Sequence, residues 1–82
     1  MSAIKDAVKD YILREFLNGE KPENLKDDTR LIDSGILDSY NILRLVQFIE
    51  NTYHVTVQGH EVDIDNLDTL SRIETFVERK MK

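Results

Sequence analysis

Apolar residues recur at helical spacing in three stretches of this chain, and nowhere do they alternate over a length that could build a sheet. Ile4, Val8, Tyr11, Ile12 and Phe16 share one stripe, which predicts a helix over residues 3–17. Ser2 is positioned as its N-cap. Asp10 and Arg14 form an (i, i+4) pair on its outer face, worth about a few tenths of a kcal/mol. Asn18-Gly19 should end it, since both tolerate a left-handed conformation. Ile42, Leu45, Val46, Ile49 and Tyr53 line one face of a second helix over residues 39–53, with Asp38 as N-cap. Leu43 and Phe48 fall off that stripe, so this helix is expected to touch neighbours on two sides. Leu70, Ile73, Phe76 and Val77 mark a last helix, opened by Thr69 and closed by Arg79-Lys80-Met81-Lys82, whose cations suit a helix C-terminus.

The connections differ in character. Residues 20–38 contain Pro22, the polar run Lys26-Asp27-Asp28-Thr29-Arg30, and the apolar anchors Leu25, Leu31, Ile32, Ile36 and Leu37. A loop this long in a small domain is commonly functional or disordered. The recurring anchors favour one packed onto the core. Val55-Thr56-Val57 has no partner strand nearby and reads as an extended connector, Gly59 as a turn, and residues 60–64 as one short helical turn. The pattern predicts an all-α fold: a small antiparallel four-helix bundle, three main helices and one short, with a long first loop and a single domain over residues 1–82.

Composition narrows the chemistry. At 82 residues the chain can bury only about 60–65% of its unfolded surface, so its core is thin. The net charge of -5 and the lack of a basic stripe argue against nucleic acid and for a basic protein partner. With no cysteine, disulfides, thiolate-bound zinc and thiol nucleophiles are excluded. The start is charged early, and no apolar run reaches membrane-spanning length; the expectation is a cytoplasmic monomer that does not insert into membranes. His54 and His60 form no ligand pair and read as surface histidines. Asp63, Asp65 and Asp68 lack the glycine of a calcium loop, since Asp68 stands in its place. No Gly-x-Ser-x-Gly elbow surrounds Ser34 or Ser39, and the acidic residues read as a solvated surface, so catalysis has no support.

The segment Asp33-Ser34-Gly35-Ile36-Leu37-Asp38-Ser39-Tyr40 carries the candidate chemistry. It places Ser39 at the mouth of a helix, where free amides and the positive dipole end favour a phosphate. Alone, an Asp-Ser pair there is also an ordinary capping device. The surroundings decide between these readings.

Over nearly its whole length the chain resembles the acyl carrier protein family, peptidyl and aminoacyl carriers included. The resemblance lies in the helix order, in Leu31-Ile32-Asp33-Ser34-Gly35-Ile36-Leu37-Asp38-Ser39, similar to the family's attachment motif, and in Asn66-Leu67-Asp68-Thr69-Leu70, similar to the start of its last helix. It implies that Ser39 carries 4′-phosphopantetheine, transferred from coenzyme A by a magnesium-dependent phosphopantetheinyl transferase, with Asp38 as its motif neighbour. Acyl or aminoacyl groups would ride on the arm as thioesters, supplied by a loading ligase and taken by downstream transferases or synthases. The implied partner surface comprises Tyr40, Asn41 and Arg44 beside Ser39, and the region from His60 to Ile64. One departure matters. Residues 39–53 carry only Arg44 and Glu50, a net charge of zero, where many carriers are acidic. Tyr40 also stands where Leu or Met is common. A specialised stand-alone carrier, for an aminoacyl group or a secondary-metabolite acyl group, fits this better than the housekeeping carrier of fatty acid synthesis. An aminoacyl or peptidyl carrier and an unmodified helical adaptor remain as alternatives.

Overall fold

The periodicity of the sequence becomes four α-helices in a computed structural model, which describes residues 3–17, 19 and 21–81. They are α1 (Ala3–Glu15), α2 (Ser39–Tyr53), α3 (Ile64–Leu67) and α4 (Leu70–Met81). Short 3-10 turns lie at Pro22–Asn24 and Gly59–Glu61, and no strand occurs among the described residues. The fold is the all-α bundle that the pattern predicts. Helix α4 packs against α1 and α3 and, less extensively, against α2.

The three stripes converge. Val8 and Ile12 of α1, Leu45, Val46 and Ile49 of α2, Leu67 of α3, and Leu70, Ile73, Phe76 and Val77 of α4 are all buried. Leu25, Leu31 and Leu37 of the long loop join the same core. Each such side chain contributes about 1.5–3 kcal/mol by leaving water, so three loop leucines hold this connection down as firmly as a helix face would.

The boundaries differ from the sequence reading in two places. Helix α1 ends at Glu15 rather than at residue 17, and the amides of Phe16 and Leu17 both donate to the Ile12 carbonyl, closing the last turn. Gly19 follows at φ +92, a left-handed conformation that glycine adopts without Cβ strain; Asn18 and the N-cap expected at Ser2 lie outside the described residues. The short helical turn expected over 60–64 is split. Residues 59–61 form a 3-10 turn, and the helix proper starts at Ile64 because the Asp63 carboxylate accepts the Asn66 amide at 3.0 Å, an N-cap that restarts the chain. Thr69 caps α4 as expected, accepting from the Arg72 amide at 3.1 Å.

The off-stripe residues of α2 behave differently from each other. Phe48 stacks on Tyr11 of α1 with ring centroids 4.2 Å apart, the expected second neighbour. Leu43 meets nothing comparable and is 59% exposed.

Candidate functional site

Ser39 is the first residue of α2, and the local chain is built to fix it there. The amide of Leu37 donates to the Leu31 carbonyl at 2.8 Å, tying together two buried leucines at the base of a small loop. At its tip, Gly35 (φ +89) donates to Ile32 and reverses the chain in a conformation that glycine adopts readily. Asp38 then takes an extended conformation (φ -86, ψ -177) and its carboxylate accepts the Asn41 amide at 2.8 Å. The Asn41 side chain returns a bond to the Ile36 carbonyl at 3.2 Å. These contacts define the direction in which α2 leaves the loop.

The result is an exposed serine on a helix N-terminus. Of the first four amides of α2, Asn41 is taken by the Asp38 side chain and Ile42 by the Asp38 carbonyl. Those of Ser39 and Tyr40 have no acceptor inside the helix. They belong to the first turn of α2, at the positive end of the dipole, which is the setting a phosphodiester favours. An exposed serine and helix-start amides without a helical acceptor together fit a phosphate-linked group.

Tyr40 is 69% exposed next to Ser39. Arg44 is only partly exposed and is engaged within the chain. Its guanidinium pairs with Glu15 and lies over the rings of Phe16, 5.2 Å from the centroid, and Tyr40, 5.9 Å away. Arg44 thus joins the end of α1 to the start of α2, a contact reinforced where the Tyr11 hydroxyl donates to the Arg44 carbonyl at 3.3 Å.

His60 and Ile64 stand apart from this group. His60 is exposed in the 3-10 turn, and Ile64, 49% exposed, opens α3. His60 lines a surface pocket of about 450 Å³ with Asp63, Phe76 and the pairs Glu61–Lys80 (2.8 Å) and Asn66–Arg79 (3.1 Å). The Lys80 ammonium, helped by the Gln58 amide, holds the Glu61 carboxyl below the usual carboxylate range. None of residues 38–41 or Arg44 lines that pocket. Among the described residues no cluster of three or more potential ligands could hold a metal ion, and no helix is long and apolar enough to cross a membrane.

Asp68 departs from the sequence reading: in place of the solvated surface expected for the acidic residues, its side chain is fully buried. Burial alone would raise its pKa. Amides from Ile32 and Asp33 and the Arg30 guanidinium outweigh that cost and hold the carboxyl below its ordinary value. Asp68 thereby grips the loop that leads to Ser39. Its position between two short apolar segments was visible in the sequence, but its partners lie some 35 residues away and no local pattern reveals them.

Comparison with known proteins gives one informative likeness. The chain is 32% identical over 69 residues to the "probable acyl carrier protein PigG" of Serratia sp. (strain ATCC 39006), covering 84% of this chain and 78% of that protein. No protein-family model matches the chain.

Proposed function

The chain belongs to the acyl carrier protein family, and we propose that it holds acyl or aminoacyl groups on a 4′-phosphopantetheine arm attached to Ser39, with all 82 residues acting as a single carrier domain. The observation that carries this is the exposed serine at the first position of α2, beside two amides with no helical acceptor. Ser39 Oγ would hold the phosphate, the amides of Ser39 and Tyr40 would face its oxygens, and Asp38 would fix the helix start. When attached, the arm supplies a terminal thiol on which cargo is held as a thioester, a group that this cysteine-free chain lacks.

The reactions belong to partner enzymes in this reading; the chain contributes position and recognition. A phosphopantetheinyl transferase joins Ser39 Oγ to the phosphorus of coenzyme A, the diphosphate bond breaks, adenosine 3′,5′-bisphosphate leaves and the hydroxyl proton is released. A ligase then loads the arm, and transferases or synthases unload it. The neutral surface of α2 supports a specialised carrier over one for primary fatty acid synthesis.

Intact-mass measurement after incubation with coenzyme A, magnesium and a broad-specificity transferase tests the reading. The expected result is gain of one phosphopantetheinyl group in the wild type and none in Ser39→Ala. A wild-type chain left unmodified by an active transferase would overturn it and favour an unmodified adaptor.

A further inference from the structure

We propose that Asp68 is a positioning residue for the reaction at Ser39: by holding Leu31, Ile32 and Asp33 it sets where the closed loop 31–37 delivers the first turn of α2, and hence where the serine is offered. This rests on the reading of Ser39 as the attachment site.

The first turn of α2 has no deep anchor of its own. Leu45 is the first buried residue of the helix, and the nearest buried residue before it is Leu37. Residues 38–44 are exposed or only partly buried. The Asp38 cap and the bond from the Asn41 side chain to Ile36 join this turn to the loop rather than to another helix. Arg44 does reach Glu15 and Phe16, but more than one turn beyond Ser39.

The loop in turn hangs on residues that Asp68 holds. Its closing bond runs from the Leu37 amide to the Leu31 carbonyl at 2.8 Å, and the bond across its tip runs from the Gly35 amide to the Ile32 carbonyl at 3.1 Å. The Leu31 amide donates to the Asp68 carbonyl, and the Ile32 amide to the Asp68 carboxylate at 3.0 Å. Both of these loop bonds therefore end on residues fixed by Asp68. Only Asp38 separates Leu37 from Ser39, so a shift at Leu31 crosses one hydrogen bond and reaches the serine two residues later.

A buried ion pair is seldom the most stabilising way to fill such a position, since apolar side chains of similar volume often do as well or better. What the carboxylate adds is direction. One oxygen sits on two successive amides and the other on Arg30, which leaves the backbone between them little freedom. Direction matters for the displacement at phosphorus described above. Ser39 Oγ has to approach to about 3–3.5 Å and in line, and a misplacement of about 1 Å can lower the rate about a hundred-fold.

Single-turnover phosphopantetheinylation of the full chain by excess broad-specificity transferase tests this, with each variant assayed below its melting transition by circular dichroism. Asp68→Asn keeps an oxygen for the two amides and drops the charge. Asp68→Glu keeps the charge but carries it one methylene further out, so the loop has to move to meet it. Asp68→Ala removes the acceptor. Ile12→Ala, a buried truncation in α1, controls for lost stability alone. The maximal rate should fall about ten-fold or more in Asp68→Ala and Asp68→Glu, with the half-saturating transferase concentration within about three-fold of wild type. Asp68→Asn and Ile12→Ala should keep both values within about three-fold of wild type. Should Asp68→Ala not fold, the Glu and Asn variants decide. A wild-type rate in Asp68→Glu, a loss in Asp68→Asn that Asp68→Glu escapes, a loss confined to half-saturation, or an equal loss in Ile12→Ala would overturn the positioning role while leaving the attachment reading intact. A wild-type chain that accepts no phosphopantetheine would overturn both.

Discussion

The carboxylate of Asp68 accepts the backbone amide of Ile32 at 3.0 Å across 36 residues of sequence. The same oxygen takes the Asp33 amide at 3.3 Å, and the other takes the Arg30 guanidinium at 3.0 Å. The Asp68 carbonyl also accepts the Leu31 amide. One buried residue at the junction of α3 and α4 thus holds four successive residues of the loop that ends at Ser39. The helix that presents the serine and the loop that aims it are separately anchored, the first by its apolar stripe and the second by this carboxylate.

Replacing Asp68 separates these contributions. Asp68→Ala leaves the Ile32 and Asp33 amides without their acceptor, at a cost of about 1–3 kcal/mol per stranded group that water does not reach. Asp68→Asn can keep one oxygen on both amides; its NH2 then faces Arg30 and loses that ionic hydrogen bond, but the Arg30 side chain is 57% exposed and can turn to water. It should therefore be clearly milder. Urea denaturation of the two variants checks the order. Equal losses would mean that the Arg30 pair, rather than the two amides, carries the stabilisation.

The pH dependence follows from the same carboxyl. Its folded pKa lies below the ordinary aspartate value, so the unfolded chain binds the proton more readily. The stabilisation is complete above the ordinary value of about 4 and is lost as pH falls through the depressed folded value. Glu61, held low by Lys80 and the Gln58 amide, adds a contribution of the same sign in the same acidic window. Stability measured by urea at descending pH should fall below about pH 4, and the fall should be shallower in Asp68→Asn and shallower again with Glu61→Gln. A wild-type profile that is flat from pH 5 to 2 would contradict both assignments.

Much of this molecule is legible in its sequence because helical burial is a local, periodic property. The α2 stripe of Leu45, Val46 and Ile49 places the helix correctly from its first residue to its last, and Asp38 marks its cap. The loop leucines are legible as anchors for the same reason: an apolar residue in a polar run has to go somewhere. What escapes is any interaction set by tertiary approach. Asp68 reads as surface because nothing nearby in sequence shows that Ile32, Asp33 and Arg30 will surround it. The engagement of Arg44 escapes as well, because Glu15 is the last residue of α1 and Phe16 the one after it. The split between the 3-10 turn and α3 was legible in principle, since Asp63 is a good capping residue, but one turn gives too few positions for a period to show. The serine itself is legible by its place at a capped helix start.

Core packing offers a direct check on the orientation of α2. Ile49 is fully buried within the common core cluster. Ile49→Ala should cost about 2–5 kcal/mol, the sum of lost transfer energy and an unfilled cavity. Leu43→Ala, on the exposed face, should change stability by less than about 0.5 kcal/mol. Thermal or urea unfolding of both variants gives the comparison. Similar losses at the two positions would mean that the helix is rotated relative to the structure described above.

Asp38 has two consequences that can be told apart. As an N-cap it accepts the Asn41 amide at 2.8 Å, so Asp38→Ala should cost about 0.5–2 kcal/mol, and Asp38→Asn, which keeps an acceptor, distinctly less. As a charge it stands next to Ser39, where the proposed phosphodiester would place a second negative group at the same helix end. The dipole and the two free amides favour that group, while the neighbouring carboxylate opposes it. Removing the charge but not the cap should therefore let the modified chain gain more from its phosphate. The melting temperature of the modified protein minus that of the unmodified protein should be more positive in Asp38→Asn than in wild type. That excess should shrink at about 0.5 M salt, where exposed charges a few ångströms apart are strongly screened. An equal difference in the two proteins, at either salt concentration, would show that carboxylate and phosphate do not sense each other, and that Asp38 acts on α2 through its hydrogen bond alone.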